Sequence, residues 1–217
     1  MIQDILDILQ KIDTTVFYFI NVTIQNPVFD WLMPFVTEKY NWFPVWGIVT
    51  ILLIWKGGRQ GRYMILLIIP VIFLSDQISS SVIKPLFQRT RPCVALEGVH
   101  LLTGMKTSFS FTSSHAANFF ATAAFFSYFY PRWKWLFFSL ATLVGISRIS
   151  VGVHYPFDVL GGAIVGMACG WVVINVWSRI ADKYGIQWRN ELYSPKSPAK
   201  GPSDKVQSLK ALNEKIL

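Results

Sequence analysis

Charged residues are scarce in this chain of 217 residues: Asp, Glu, Lys and Arg make up 15% of it, against roughly a quarter in water-soluble domains. Together with a hydrophobic content of 53% and an aromatic content of 16%, that shortage excludes an ordinary soluble domain. Cysteine is nearly absent. Cys93 lies beside a proline in a polar stretch, Cys169 lies inside an apolar block, and neither belongs to a CxxC pair, which excludes a disulfide scaffold and a thiolate metal site. The first dozen residues lack the basic start of a cleavable signal, since Asp4 and Asp7 there, with Asp13 just beyond, face Lys11 alone. Acidic residues are the scarcer charge, 12 against 20 basic ones, for a net charge of +8. Such a balance fits nucleic acid or anionic lipid, and the hydrophobicity selects an anionic lipid surface, with no nucleic acid partner.

What is present comes in long apolar blocks rather than the short alternating runs of a barrel or sandwich. Five blocks read as membrane helices: 42–55, 63–83, 109–130, 133–151 and 157–177. A sixth, weaker one at 16–36 is interrupted by Asn21, Gln25, Asn26, Pro27 and Asp30, and reads as a broken span or an interfacial helix. Before it, Ile2, Ile5, Leu6, Leu9 and Ile12 share a face at helical spacing. The expected fold is all-α, a polytopic membrane helix bundle of about six transmembrane helices. Its parts are an amphipathic N-terminal helix at 1–15, a transmembrane domain at 16–178 and a basic cytoplasmic tail at 179–217. In the tail, a Pro/Ser/Lys-rich run at 194–203 precedes Val206, Leu209, Leu212 and Ile216 at helical spacing, an amphipathic helix or a frayed end.

Lys and Arg in short loops collect on the cytoplasmic side. Lys56, Arg59 and Arg62 fill one loop, Arg132 and Lys134 another, and the tail is basic too, so threading the helices puts these on one side. The long loop at 84–108 and the turn near His154 fall on the other. That loop is itself basic, with Lys84, Arg89, Arg91 and Lys106, which calls for a reason other than topology. On the same side lie Ser113-Ser114-His115, Ser147-Arg148 and His154 with Asp158 four residues on. Several cations, two histidines and one carboxylate suit a phosphoryl group with its spread negative charge. No di-metal carboxylate pattern accompanies them, so Lys84, Arg91 and Arg148 supply the positive charge, and no metal or other cofactor is expected.

Lys84-x6-Arg91-Pro92, then Ser113-Ser114-His115, then Ser147-Arg148-x5-His154-x3-Asp158 resembles the three-part signature of the type 2 phosphatidic acid phosphatase (PAP2) superfamily of membrane lipid phosphatases, relatives of the vanadium haloperoxidases. The similarity spans about 76–162. The middle part departs from the usual Pro-Ser-Gly-His by having Thr112 and Ser114 in place of the proline and the glycine. The resemblance implies a haloperoxidase-like helical core and three catalytic residues: His154 as the nucleophile, Asp158 orienting it and His115 protonating the leaving oxygen. Lys84, Arg91, Ser113, Ser114 and Arg148, with the first N–H groups of the helix that follows, would bind the phosphate.

It further implies a membrane lipid phosphate as substrate: lipid A 1-phosphate, phosphatidylglycerophosphate, undecaprenyl diphosphate or phosphatidic acid, with a lean to the first two. The setting would be a bacterial-type inner membrane with the site facing the periplasm or outside, and no obligate protein partner is evident. A vanadate-dependent haloperoxidase-like enzyme and a non-catalytic lipid-phosphate binder or transporter are the alternatives. Outside the motifs, His100 reads as an interfacial anchor, Arg89 and Lys106 as steering or solvated loop charges, Asp76 as a partner of a site cation or a structural contact, and Gly161, Gly162, Gly166 and Gly170 as a close-packing stripe.

Overall fold

A computed structural model describes residues 1–188, and every regular element among them is helical. The N-terminal helix α1 (Ile2–Tyr18) runs on through a π-helical turn at Phe19–Thr23, three residues past the expected boundary before the π turn. The block at 16–36 is therefore two elements. The chain breaks at Asn26, whose side chain accepts from the N–H groups of Val28 and Phe29, and restarts as α2 (Pro27–Thr37) with proline at its first position. Next come α3 (Phe43–Trp55), α4 (Gly58–Gln77) and a π-helical segment at Ile78–Ile83. Two single turns, α5 (Lys84–Phe87) and α6 (Pro92–Ala95), begin the long loop. The bundle closes with α7 (Ser114–Phe129), α8 (Lys134–Ser150) and α9 (Pro156–Lys183).

Two boundaries differ from expectation for local reasons. Helix α7 starts at Ser114 rather than near 109, because Ser113 caps it by accepting from the Ala116 N–H, and because the preceding backbone serves Arg89 and Arg91 instead. Helix α9 continues to Lys183, carrying into the first residues of the expected tail. The C-terminal helix expected after Ser203 lies outside the described residues. Two stretches are long and apolar enough to cross a membrane, Gly58–Ala95 and Pro156–Lys183. By length and apolar composition, two of the expected six spans are supported among the described residues. Large apolar side chains such as Trp55, Phe73 and Trp171 are exposed around the bundle, a surface suited to lipid rather than water.

The central pair is α7 and α9. The stripe of small residues on α9 lies directly on the α7 backbone: a Cβ added at Gly162 would sit 2.5 Å from the Ser113 carbonyl oxygen and one at Gly170 2.7 Å from that of Ala121, while one at Gly166 would strike the Ala117 carbonyl. With nothing larger between them, the two helices approach at backbone distance. Below this contact, Met64, Leu67 and Val71 of α4, Phe125 and Phe129 of α7 and Ile174 of α9 form the main buried cluster. The consequence for function is positional, since α7 carries His115 near its first turn and α9 carries Asp158 in its own. Gly166→Ala should push the helices apart at a cost of about 1–3 kcal/mol. A lower thermal midpoint in detergent is expected, and an unchanged midpoint would contradict the backbone contact.

Candidate active site

The site forms where the start of α9, the start of α7, the end of α8 and the loop after α4 meet. Asp158, at the third position of α9, is fully buried. Its Oδ2 accepts from the Tyr155 backbone N–H at 2.9 Å and from the Ser110 hydroxyl, and lies 3.4 Å from His154 Nδ1. Its Oδ1 accepts from Arg89 Nη1 at 2.8 Å. The carboxylate thus caps its own helix, favours the positive helix N-terminus and orients the imidazole at once. His154, in the turn between α8 and α9, is 2% exposed.

The tautomer of His154 follows from its neighbours. Arg91 Nη1 lies 3.0 Å from Nε2 and can only donate, so Nε2 is the acceptor and Nδ1 carries the proton toward Asp158. Burial, opposed in part by the hydrogen bond with Asp158, drives the imidazole pKa down to about 3. A neutral imidazole with its Nε2 electron pair unprotonated, here accepting from Arg91, is the form a nucleophile requires.

The cations divide into two kinds. Arg91 uses all five of its N–H donors within the protein: Nε to Ser108 O, Nη2 to Ser108 Oγ and Phe109 O, and Nη1 to Val153 O and His154 Nε2. It clamps the loop against the α8–α9 turn and meets a ligand only by giving up Nε2. Arg148 donates from Nη1 to Thr37 Oγ1 at 2.6 Å, while its buried Nε has no partner among the described residues. Lys84, placed where the π-helical segment passes into α5, is within range of the charges of Arg91, Arg148, Asp76 and Asp158. His115 is likewise in the field of Arg148, His154, Lys84 and Arg91. Lys84, Arg148 and His115 are therefore the groups with donors to offer a phosphate.

The two serines are engaged differently from expectation. Ser113 Oγ is buried at the α7 cap, 3.5 Å from the Ala116 N–H, and its own N–H donates to the Asp158 carbonyl. Ser114 Oγ pairs with Ser79 at 3.0 Å, and Ser79 with Thr112 at 3.0 Å, so Thr112 and Ser114, the two departures from the usual motif, join one hydroxyl network with the π-helical segment. The contribution of this turn is the Ser114 and His115 backbone N–H groups, which open the helix without acceptors of their own.

Four residues that the motifs do not contain complete the site: Ser110, Arg89, Asp13 and Tyr155. Arg89 is no solvated loop charge, because it bridges Asp158 and Asp13, with its guanidinium 3.9 Å from the Tyr155 ring centre. Among the described residues Asp76 forms no ion pair and instead accepts from Asn118 and Ser80. His100 lies outside the cluster, 3.0 Å from Asp30. One turn below His115 on α7, Phe119 opens an apolar groove of about 630 Å³ between α3, α7 and α8, lined by Trp42, Trp46, Phe126, Phe137 and Leu140 among others.

Residues 65–182 match the model of the PAP2 superfamily, which takes in every one of these motif residues. The chain belongs to the PAP2 superfamily. It is a lipid phosphatase of that superfamily. The chain is 32% identical over 178 residues to the lipid A 4'-phosphatase of Bacteroides thetaiotaomicron, with 77% of each chain covered. Among solved structures it resembles LpxE of Aquifex aeolicus, with a TM-score of 0.63 and 28% identity over 75% of this chain and 94% of that one. It also resembles a PAP2-type phosphatidylglycerolphosphate phosphatase of Bacillus subtilis, with a TM-score of 0.57 and 26% identity over 79% and 87% of the two chains.

The buried neutral histidine has a pH signature. An unfolded imidazole takes up a proton near pH 6.5, whereas folded His154 stays neutral to about pH 3. Between these values the unfolded state binds more protons, so stability falls as the pH is lowered through that window. The thermal midpoint of the PAP2 phosphatase should decline between about pH 6.5 and 4, and His154→Asn should make that decline shallower; an equally steep decline in the variant would contradict a buried neutral His154.

Proposed function

We propose that this phosphatase removes a phosphate monoester from lipid A through a phosphohistidine on His154. The observation that carries the chemistry is the Asp158–His154 pair, with Nε2 turned toward the cations and Lys84, His115 and Arg148 around it holding unused donors. A phosphoryl oxygen entering the cluster takes over the Arg91 Nη1 donor from His154 Nε2, which frees the electron pair at the moment the phosphorus arrives. Nε2 then attacks phosphorus, and the bond from phosphorus to the lipid oxygen breaks as His115 delivers a proton to that oxygen. The phosphate charge among Lys84, Arg91 and Arg148 offsets the cations around His115 and lets it hold the proton it gives. Asp158 balances the cation on the phosphorylated imidazole. Water, losing its proton to His115, hydrolyses the phosphorus–nitrogen bond and releases phosphate.

The substrate class rests on two supports. The apolar groove begins one turn below His115, on the face of α7 that His115 shares, so a leaving oxygen beside His115 leads its acyl chains into it. Each methylene buried there contributes about 0.8 kcal/mol. The relative at 32% identity that acts on the 4'-phosphate of lipid A favours that lipid over phosphatidylglycerophosphate, undecaprenyl diphosphate and phosphatidic acid. We place the enzyme in the inner membrane as a multi-pass protein, with Arg59 cytoplasmic and the cluster facing outside, from the distribution of Lys and Arg in the short loops.

Phosphate release from a panel of purified lipids in detergent with EDTA tests the reading. Lipid A is expected to be the preferred substrate, with kcat/KM at least about a hundredfold above that of p-nitrophenyl phosphate, a margin that a few buried methylenes supply. His154→Ala should be inactive and Asp158→Asn slower by several orders of magnitude with KM nearly unchanged. Equal rates on soluble and lipid phosphates, or activity lost to EDTA and restored by Mg²⁺, would overturn it.

A further inference from the structure

Asp13 stands out on α1. Its neighbours Ile5, Leu6, Leu9, Ile12 and Val16 are exposed, as on a helix lying at a lipid surface, yet Asp13 is fully buried. Burying a carboxylate is costly unless its oxygens are met, and here both are. Oδ1 accepts from the Phe157 N–H at 2.8 Å, one of the unpaired donors in the first turn of α9, and Oδ2 accepts from Arg89 Nη2 at 2.6 Å. The other end of the Arg89 guanidinium holds Asp158 Oδ1 at 2.8 Å. Phe17, one turn after Asp13, packs against Tyr155 at 5.7 Å between ring centres, the ring that Arg89 covers on its way. A continuous chain of contacts thus runs from α1 through Arg89 and Asp158 to His154.

We infer that Asp13 is a positioning residue for the nucleophile, acting through Arg89 on Asp158, so that docking of the N-terminal helix completes the active site. Two physical consequences follow from the bridge. Arg89 alone would offer its whole charge to Asp158 and weaken the support that carboxylate gives to the cation forming on His154; Asp13 draws off part of it. The planar guanidinium, fixed at both ends, also sets the rotation of the Asp158 carboxylate, and with it the angle at which Nε2 faces phosphorus. None of these atoms touches the substrate, so the effect falls on turnover rather than on lipid binding.

This inference rests on His154 being the nucleophile, and the experiment separates the two. Wild type, His154→Ala, Asp13→Asn, Arg89→Gln and the Asp13→Asn/Arg89→Gln double variant are purified in detergent and assayed on whichever lipid phosphate the wild type cleaves fastest. Asp13→Asn should lower kcat about 10- to 100-fold, the usual range for a group that orients another, with KM within about threefold. The double variant should be no slower than the slower single one, because the two residues act as one bridge. If Asp13→Asn does not fold, Arg89→Lys carries the test, since it keeps the charge but cannot hold both carboxylates, and the same loss in kcat is expected. A kcat for Asp13→Asn, or for Arg89→Lys in its place, within about threefold of wild type, or losses that multiply in the double variant, would overturn the inference. Turnover by His154→Ala would instead place the failure in the nucleophile assignment.

Discussion

A carboxylate without solvent must have its lone pairs met, and meeting those of Asp158 organises this end of the bundle. The Tyr155 N–H that it accepts starts α9, the Ser110 hydroxyl fixes the stretch before α7, Arg89 brings in the loop after α4, and His154 receives its orientation. These partners arrive from three separate parts of the chain. Removing the charge would leave the half-buried Arg89 guanidinium short of one of its two carboxylates and the imidazole with no reference direction.

The approach of α7 to α9 extends the same constraint down the bundle. Gly162, Gly166 and Gly170 let the helices meet at backbone distance, which sets His115 on one helix against Asp158 and His154 at the start of the other. Arg91 performs the corresponding task across the loop, with every donor committed and one of them on His154 Nε2. The donors left for a phosphate therefore belong to Lys84, Arg148 and the first turn of α7. Positive charge at this site serves two ends, holding the backbone in shape and receiving the anion, and residue type alone does not separate them.

Much of this was legible in the sequence. Apolar blocks gave the helices, and small-residue spacing marked a close-packing face on α9 without naming its partner, because hydrophobic length and steric size are local properties while the partner is not. The motif spacings singled out His115, Arg148, His154 and Asp158, which the fold brings to one end of the bundle. The boundaries that differed depend on tertiary partners: α7 starts late because residues 108–110 are needed by Arg89, Arg91 and Asp158, and the interrupted segment divides at the Asn26 cap. Arg89 reads as a steering or solvated loop charge, and Asp13 as one acid among several near the N-terminus, because each looks ordinary in its own stretch. Only their meeting, 76 positions apart, gives them a role.

The central claim is that phosphorus passes through His154, and rapid acid-free quenching of the enzyme during turnover of a lipid phosphate, followed by peptide mass spectrometry, tests it most directly. The account predicts a phosphoramidate on His154 that survives alkali, is lost in acid, accumulates when Asp158 is replaced by Asn if hydrolysis is slowed more than attack, and is absent from His154→Ala. Phosphate on another residue, or turnover by the wild type with no phosphoenzyme at any quench time and full activity of His154→Ala, would contradict it.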